Sequence, residues 1–150
     1  MKKANVTILG ATGAVGREML KVLEERNFPV GELRCLASAR SVGKRLPFAG
    51  GELSVNEATD AAFAGADIVL GAAENDIARR FAPAIKAAGA VFIDNSSAFR
   101  LEPEVPLVVP EINPQDALHH DGIIANPNCS TIITVVAVAG LCRLSPILSM

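Results

Sequence analysis

The sequence carries no excess of charge of either sign. Its 14 basic and 16 acidic side chains leave a formal charge of -2, too little to collect nucleic acid or anionic lipid. Nucleic-acid and membrane partners are therefore excluded, and a small-molecule ligand is expected. Cysteine is scarce as well. The three cysteines, Cys35, Cys129 and Cys142, form no close pair, which argues against a disulfide framework or a zinc knuckle and fits a reducing cytoplasm. No metal site is expected. Long hydrophobic runs are also missing. The longest late one, Ile132 to Cys142, is broken by Thr134 and Gly140 and is too short to span a bilayer. The opening Met-Lys-Lys-Ala-Asn leads straight into a strand-like segment with no signal-peptide stretch, so the expectation is a soluble, cytoplasmic protein. Repeats and low-complexity tracts are absent.

What remains is a chain of 150 residues, half of them apolar, which is enough for one domain with a full core. Apolar β-branched runs at Val6 to Leu9, Leu33 to Ala37, Ile68 to Leu70, Val91 to Ile93 and Gly122 to Ala125 read as strands. Val15 to Leu23 shows largely helical spacing, and Ile77 to Ala88 is expected to fill one gap between strands with a helix. Parallel neighbours need a crossover that is usually helical, so this alternation predicts an α/β fold. The specific expectation is a doubly wound, Rossmann-like parallel sheet with helices on both faces. Between Arg40 and Asn56, Pro47, Gly50 and Gly51 interrupt short apolar pieces, and a hairpin-like excursion is expected there instead of a crossover. Asn95 to Asp121 reads as a long ordered loop or a pair of short turns, a kind of segment that is commonly functional.

The first strand is followed at once by Gly10-Ala-Thr-Gly13-Ala-Val-Gly16 and then a helix. A strand-to-helix turn without side-chain bulk lets the backbone approach a pyrophosphate, and the free N–H groups and dipole of the helix start stabilise the anion. Gly10 would allow the tight turn, Gly13 the close approach, and Gly16 the packing of the helix on the sheet. NAD sites usually place an Asp or Glu at the end of the second strand. Here Ala37-Ser38-Ala39-Arg40-Ser41 stands there instead. A guanidinium with two hydroxyls suits the 2′-phosphate of NADP; the bland alternative is a solvated polar turn.

Ala125-Asn126-Pro127-Asn128-Cys129-Ser130-Thr131 precedes an apolar helix from Ile132 to Leu141. Cys129 falls at the helix start, where unpaired N–H groups favour a thiolate, and at the carboxyl ends of the strands, where doubly wound sheets bind ligands. Asn128 is a candidate to orient a substrate or to donate to a developing oxyanion. Cys35, inside a strand, and Cys142, late in a helix, are expected to be small buried hydrophobes. Arg100, in Asp94-Asn-Ser-Ser-Ala-Phe-Arg100, is either a partner for a phosphate or carboxylate or an exposed arginine paired with Glu102 or Glu104. His119 and His120 read as a solvated turn. Glu74-Asn75-Asp76 is expected to cap the following helix. Glu111 either lines the site or ends a turn.

Taken together, Gly10 to Gly16, Ala37 to Ser41, Asp94 to Arg100, Val108 to Asn113 and Asn126 to Ile132 make the chain resemble the N-terminal part of the aspartate-semialdehyde dehydrogenases. The resemblance implies NADP-dependent reductive dephosphorylation of aspartyl phosphate to aspartate semialdehyde, on the route to lysine, methionine and threonine. It implies that Cys129 attacks the acyl carbon to form a thioester and that Arg100 binds the phosphate. Thr12, Gly13, Ala14 and Val15, with Arg40 and Ser41, would hold NADP. A similar fold and cysteine occur in N-acetylglutamyl-phosphate reductases, where the residue before the cysteine is typically Gly; Asn128 stands here. Enzymes of the resembled family are roughly twice as long as this chain. Their second domain supplies a base histidine, a substrate arginine and most of the interface of a homodimer or homotetramer. The expected division is an NADP-binding domain over residues 1–128 and, over 129–150, the first helix of a catalytic and dimerisation domain. On that expectation the chain alone is an inactive N-terminal fragment; the alternative is a non-catalytic NADP-binding module.

Overall fold

The structure, a computed structural model, describes residues 2–142 and 144. The side chain of Cys142, expected to be buried, lies outside what it describes. In chain order the elements are β1 (Ala4–Leu9), α1 (Ala14–Glu25), β2 (Val30–Ala37), β3 (Arg45–Phe48), β4 (Gly51–Glu57), β5 (Ile68–Gly71), α2 (Asn75–Ala87), β6 (Val91–Asp94), β7 (Ile123–Ala125) and α3 (Cys129–Cys142). They build a seven-stranded sheet in the order β3-β4-β2-β1-β5-β6-β7. Every neighbouring pair is parallel except β3 with β4.

Alternation along the central strands sends successive side chains to opposite faces. Ile8 and Cys35 pack in one apolar cluster with Leu20 of α1, Leu46 and Val55. Leu9 and Leu36 pack in the other with Val69, Phe92 and α2. The buried residues of α2, Ala78, Phe81, Ala82 and Ile85, fall at i, i+3, i+4 and i+7, which is one helical stripe. Helices on both faces follow from that stripe and from the alternation of the strands.

The excursion between Arg40 and Asn56 is a hairpin, as expected, and it is more than that. Ala49 and Gly50 both have positive φ, 49° and 76°, the signature of the tight turn whose twist matches antiparallel strands. The second arm, β4, then joins the main sheet parallel to β2, with Cys35 opposite Val55 and Ala37 opposite Glu57. The chain returns to β5 through a short 3-10 turn, Asp60–Phe63, whose Phe63 is fully buried. After β6 it runs through the long ordered loop, anchored by buried Ala98, Phe99, Val108 and Val109. Among the described residues no helix is long and apolar enough to cross a membrane.

The strand order places the functional edge. From β1 the chain builds outward to β2 and β4, then comes back to pair β5 on the other side of β1. That reversal opens a crevice at the carboxyl ends of β1 and β5, the ligand position of open α/β sheets.

Candidate functional site

At the end of β1 the chain turns at Gly10, with φ +88°, a conformation costly to any residue with a Cβ. Space forbids a side chain there too, because a Cβ would stand 2.6 Å from the Ala72 carbonyl oxygen. At Gly16 a Cβ would collide with the Gly10 carbonyl oxygen, so α1 is pressed against the turn that feeds it. Gly13 differs: among the described residues a Cβ there would meet only the Gly10 oxygen within 4 Å, at 3.4 Å, and it lines an open cleft. Gly13 also occupies the N-cap of α1 with no side-chain cap and no acidic residue in the first turn. The first bond of the helix runs from the Arg17 N–H to the Gly13 carbonyl, which leaves the N–H groups of Ala14, Val15 and Gly16 without helical partners. This helix end is a bare patch of partial positive charge.

The cleft, about 420 Å³, is lined by Gly10, Thr12, Gly13 and Ser38 among the expected residues. Arg40 sits one residue beyond Ala39, which lines it, in the 3-10 turn Ala39–Ser41. It is exposed and has no partner among the described residues. Ser41 is buried and accepts a hydrogen bond from Lys44 Nζ at 3.4 Å. Sequence reasoning missed the far wall: Glu57 and Ala58 at the end of β4, Ala72 and Ala73 after β5, and Ile77, Arg80 and Phe81 on α2. The spacing of the last three was a usable signal, since 77, 80 and 81 share a helix face. The cleft position of Glu57 follows only once β4 is known to belong to the sheet.

Farther along the same edge, backbone bonds continue past the strand ends: Ala72 N–H to Leu9, Asn95 N–H to Gly71, Asn126 N–H to Asp94. They set Gly10, Ala72, Asn95 and Asn126 in a row. Asp94, fully buried, accepts hydrogen bonds from the Ser96 N–H at 3.1 Å and the Ser96 hydroxyl at 2.6 Å. The tight turn that results aims the Asn95 carbonyl at Arg100. The Arg100 guanidinium donates to that carbonyl from Nη2 at 3.0 Å, and from Nε to the Asn126 carbonyl at 2.9 Å. Nη1 has no partner among the described residues. The alternative pairing with Glu102 does not form; Glu102 instead meets Arg79 at 3.1 Å.

Helix α3 begins at Cys129, three residues earlier than its apolar run suggests. The reason is Asn128, whose Oδ1 accepts from the Ser130 N–H at 2.9 Å while its carbonyl accepts from the Ile132 N–H. Asn128 is thus a helix cap, and Cys129, exposed, is the first residue of the helix. The expected capping of α2 is corrected. Glu74 stands at its N-cap with no side-chain cap bond, and the Asn75 amide is engaged elsewhere. Its Nδ2 donates to the Ser97 hydroxyl at 2.9 Å and its Oδ1 accepts from the Ser97 N–H at 3.0 Å, tying α2 to the turn after β6. His120 Nδ1 accepts from the Gly122 N–H, and Glu111 lies exposed in a turn.

The two cysteines with described side chains should separate chemically. Cys35 is 1% exposed, and burial pushes its thiol up to about 11, so near neutral pH it is both protonated and inaccessible. Iodoacetamide with peptide mapping should label Cys129 in the folded protein and Cys35 only after unfolding. Labelling of Cys35 at a matching rate would contradict the packing around β2.

A sheet whose order reverses at its first strand, with a glycine turn and an uncapped helix start at the reversal and an open cleft beside them, defines a dinucleotide-binding domain of the doubly wound class. Within that class, the chain belongs to the family described as semialdehyde dehydrogenase, NAD binding domain, which matches residues 5–120. It is similar to the aspartate-semialdehyde dehydrogenase of Synechocystis sp., 57% identical over 142 residues, covering 95% of this chain and 42% of that protein. It is also similar to the Bacillus subtilis enzyme of the same name, 50% identical over 133 residues, covering 89% of this chain and 38% of that protein. Among solved structures, aspartate semialdehyde dehydrogenase II from Vibrio cholerae, complexed with ASA, superposes with a TM-score of 0.91 at 45% identity, over 95% of this chain and 47% of that one. The chain spans less than half the length of these relatives.

Proposed function

We propose that this chain is the NADP-binding, nucleophile-bearing part of an aspartate-semialdehyde dehydrogenase. Its ligands in this reading are aspartate semialdehyde, aspartyl phosphate and phosphate. The observation that carries the proposal is the single edge on which the uncapped α1 start, Arg100 and Cys129 all lie. The residues fit a dinucleotide: Gly13 leaves open the space a Cβ would fill, and the N–H groups of Ala14, Val15 and Gly16 are free to receive a pyrophosphate. Thr12 and Ser38 line the path. The end of β2 itself carries no carboxylate to claim the ribose hydroxyls, and Arg40, without a partner among the described residues, supplies a fork for a 2′-phosphate, with Ser41 next to it in the chain.

In the chemistry this supports, Cys129 Sγ attacks the acyl carbon of aspartyl phosphate, a C–S bond forms, and the C–O bond to phosphate breaks. Arg100, oriented by two carbonyls, receives the departing phosphate through Nη1. The unpaired N–H groups at the start of α3 and the Asn128 amide NH₂ are the donors this reading assigns to the oxygen that gains charge. When bound, NADP supplies or accepts hydride at that carbon. Residues 1–128 form the NADP-binding domain in this reading, and α3 opens a catalytic and dimerisation domain. The exposed apolar surface of α3 supports the division, since Ile133 is 71% and Leu141 59% exposed. Turnover then belongs to the full-length homodimer or homotetramer, in the cytoplasm, and not to this chain alone.

Full-length protein should reduce NADP with aspartate semialdehyde only when phosphate is present. Turnover independent of phosphate would overturn the substrate assignment. By calorimetry it should bind NADP at least about tenfold tighter than NAD, a margin typical of a charged bidentate contact, and Arg40→Ala should erase that margin. Equal affinities in the unmodified protein would remove the 2′-phosphate argument.

A further inference from the structure

We infer that Asn75 and Arg79, one turn apart on α2, are positioning residues for Arg100, an inference that rests on Arg100 being the phosphate partner. Together they hold the turn that orients its guanidinium, and so set the affinity of the site for phosphate. Residues 77 and 80 of α2 line the cofactor cleft; residues 75 and 79, on another face of the helix, meet the loop after β6 instead. Asn75 Oδ1 accepts from the Ser97 N–H at 3.0 Å, and the Ser97 hydroxyl lies 2.9 Å from Nδ2 and 3.1 Å from Oδ1. One turn on, the Arg79 guanidinium donates to the Ala98 carbonyl and, at 3.1 Å, to the Glu102 carboxylate. It also lies 5.3 Å from the ring centroid of the buried Phe99. These anchors bracket Arg100 on both sides in the chain.

Arg100 itself is aimed by main-chain carbonyls, with Nη2 donating to Asn95 and Nε to Asn126. Those two residues are joined as well, since Asn126 Nδ2 donates to Asn95 Oδ1 at 2.5 Å. The Asn95 carbonyl can hold Nη2 only while the turn from Asp94 to Ala98 keeps its shape. Asp94 closes that turn from the sheet side through Ser96, and Asn75 closes it from α2 through Ser97. Arg79 fixes the exit from the turn. A free arginine loses much rotamer freedom when it grips an anion. One already held by its neighbours binds more tightly, because the ordering is complete before the phosphate arrives. Neither Asn75 nor Arg79 has to touch phosphate for this. Asn75 is exposed and its side-chain bonds all leave the helix, so they shape the loop more than α2.

The test is steady-state kinetics of the full-length protein, with phosphate varied while aspartate semialdehyde and NADP are saturating. Asn75→Ala should raise the phosphate KM by about fivefold or more, the scale of one net hydrogen bond. Its kcat at saturating phosphate and its KM for NADP should each stay within about twofold of the unmodified protein. Asn75→Asp should bring the phosphate KM back to within about twofold, because a carboxylate still accepts from the Ser97 N–H and hydroxyl. Arg79→Lys keeps the charge and loses the fork. It should move the phosphate KM in the same direction, and it carries the comparison should Asn75→Ala fail to fold. A phosphate KM unchanged in the folded variants would overturn the inference. So would a matching rise in the KM for NADP, the mark of a generally loosened α2. Arg100→Ala is the control: a phosphate KM unmoved by that change would overturn the phosphate reading of Arg100, and this inference with it.

Discussion

Cys129→Ala in the full-length protein is expected to lower kcat/KM for aspartate semialdehyde by about 10⁴-fold or more, the scale of losing a covalent nucleophile. NADP affinity should stay within about twofold. The two readouts separate because the positions do. Cys129 is the first residue of α3, after β7, whereas the cleft is built from the ends of β1, β2, β4 and β5 and the first turns of α2. Folding should be little disturbed, since the side chain is exposed and Asn128 keeps the cap of α3 without it. Cys129→Ser should recover little of the loss. A hydroxyl at this position needs a strong adjacent base, and among the described residues no side chain is hydrogen-bonded to Cys129; His120 Nδ1 is taken by the Gly122 N–H. Substantial activity in Cys129→Ala would remove the thioester route and leave Arg100 and Asn128 without their assigned parts.

What the sequence made legible was local. The strand, glycine turn and α1 are contiguous, so periodicity and turn chemistry sufficed; α2 announced itself through one apolar stripe, Ala78 to Ile85. β4 was harder. Val55 is its only fully buried residue, so it resembles a solvated hairpin arm, and its partner β2 is remote in sequence. With β4 went Glu57, and with Glu57 the far wall of the cleft. Arg100 was visible as a cation beside a strand end, but its anchors are main-chain carbonyls of Asn95 and Asn126, which no residue type encodes. The bond between Asn75 and Ser97 was missed for a related reason: a polar residue at a helix start reads as a cap until tertiary structure brings it a closer partner.

The glycine turn yields the second large effect, because its three glycines ought to fail in different ways. Gly10→Val meets two costs: a positive-φ position, about 1–2 kcal/mol for a residue with a Cβ, and a backbone clash with Ala72 that side-chain adjustment cannot relieve. Together they should lower unfolding free energy by about 3 kcal/mol or more. Gly16→Val has no φ penalty, yet its Cβ would face the Gly10 oxygen and the Ala11 backbone, so a loss of about 3 kcal/mol is expected there as well. Against a total stability of about 5–15 kcal/mol, either change should be plain in a urea midpoint. Gly13→Ala should cost at most about 1 kcal/mol, the difference between glycine and alanine at a helix N-cap, since its surroundings are open. Its methyl group would nonetheless stand in the cleft over the free N–H groups, and NADP affinity should fall by about tenfold or more, as it does when a buried anion loses its closest donors. The contrast is the informative part. A Gly13→Ala protein that lost stability as severely as Gly16→Val, with unchanged NADP affinity, would mean the turn is glycine-rich for packing alone. Near-native stability with weakened binding would instead mean that the missing side chain at Gly13 makes room for the phosphates.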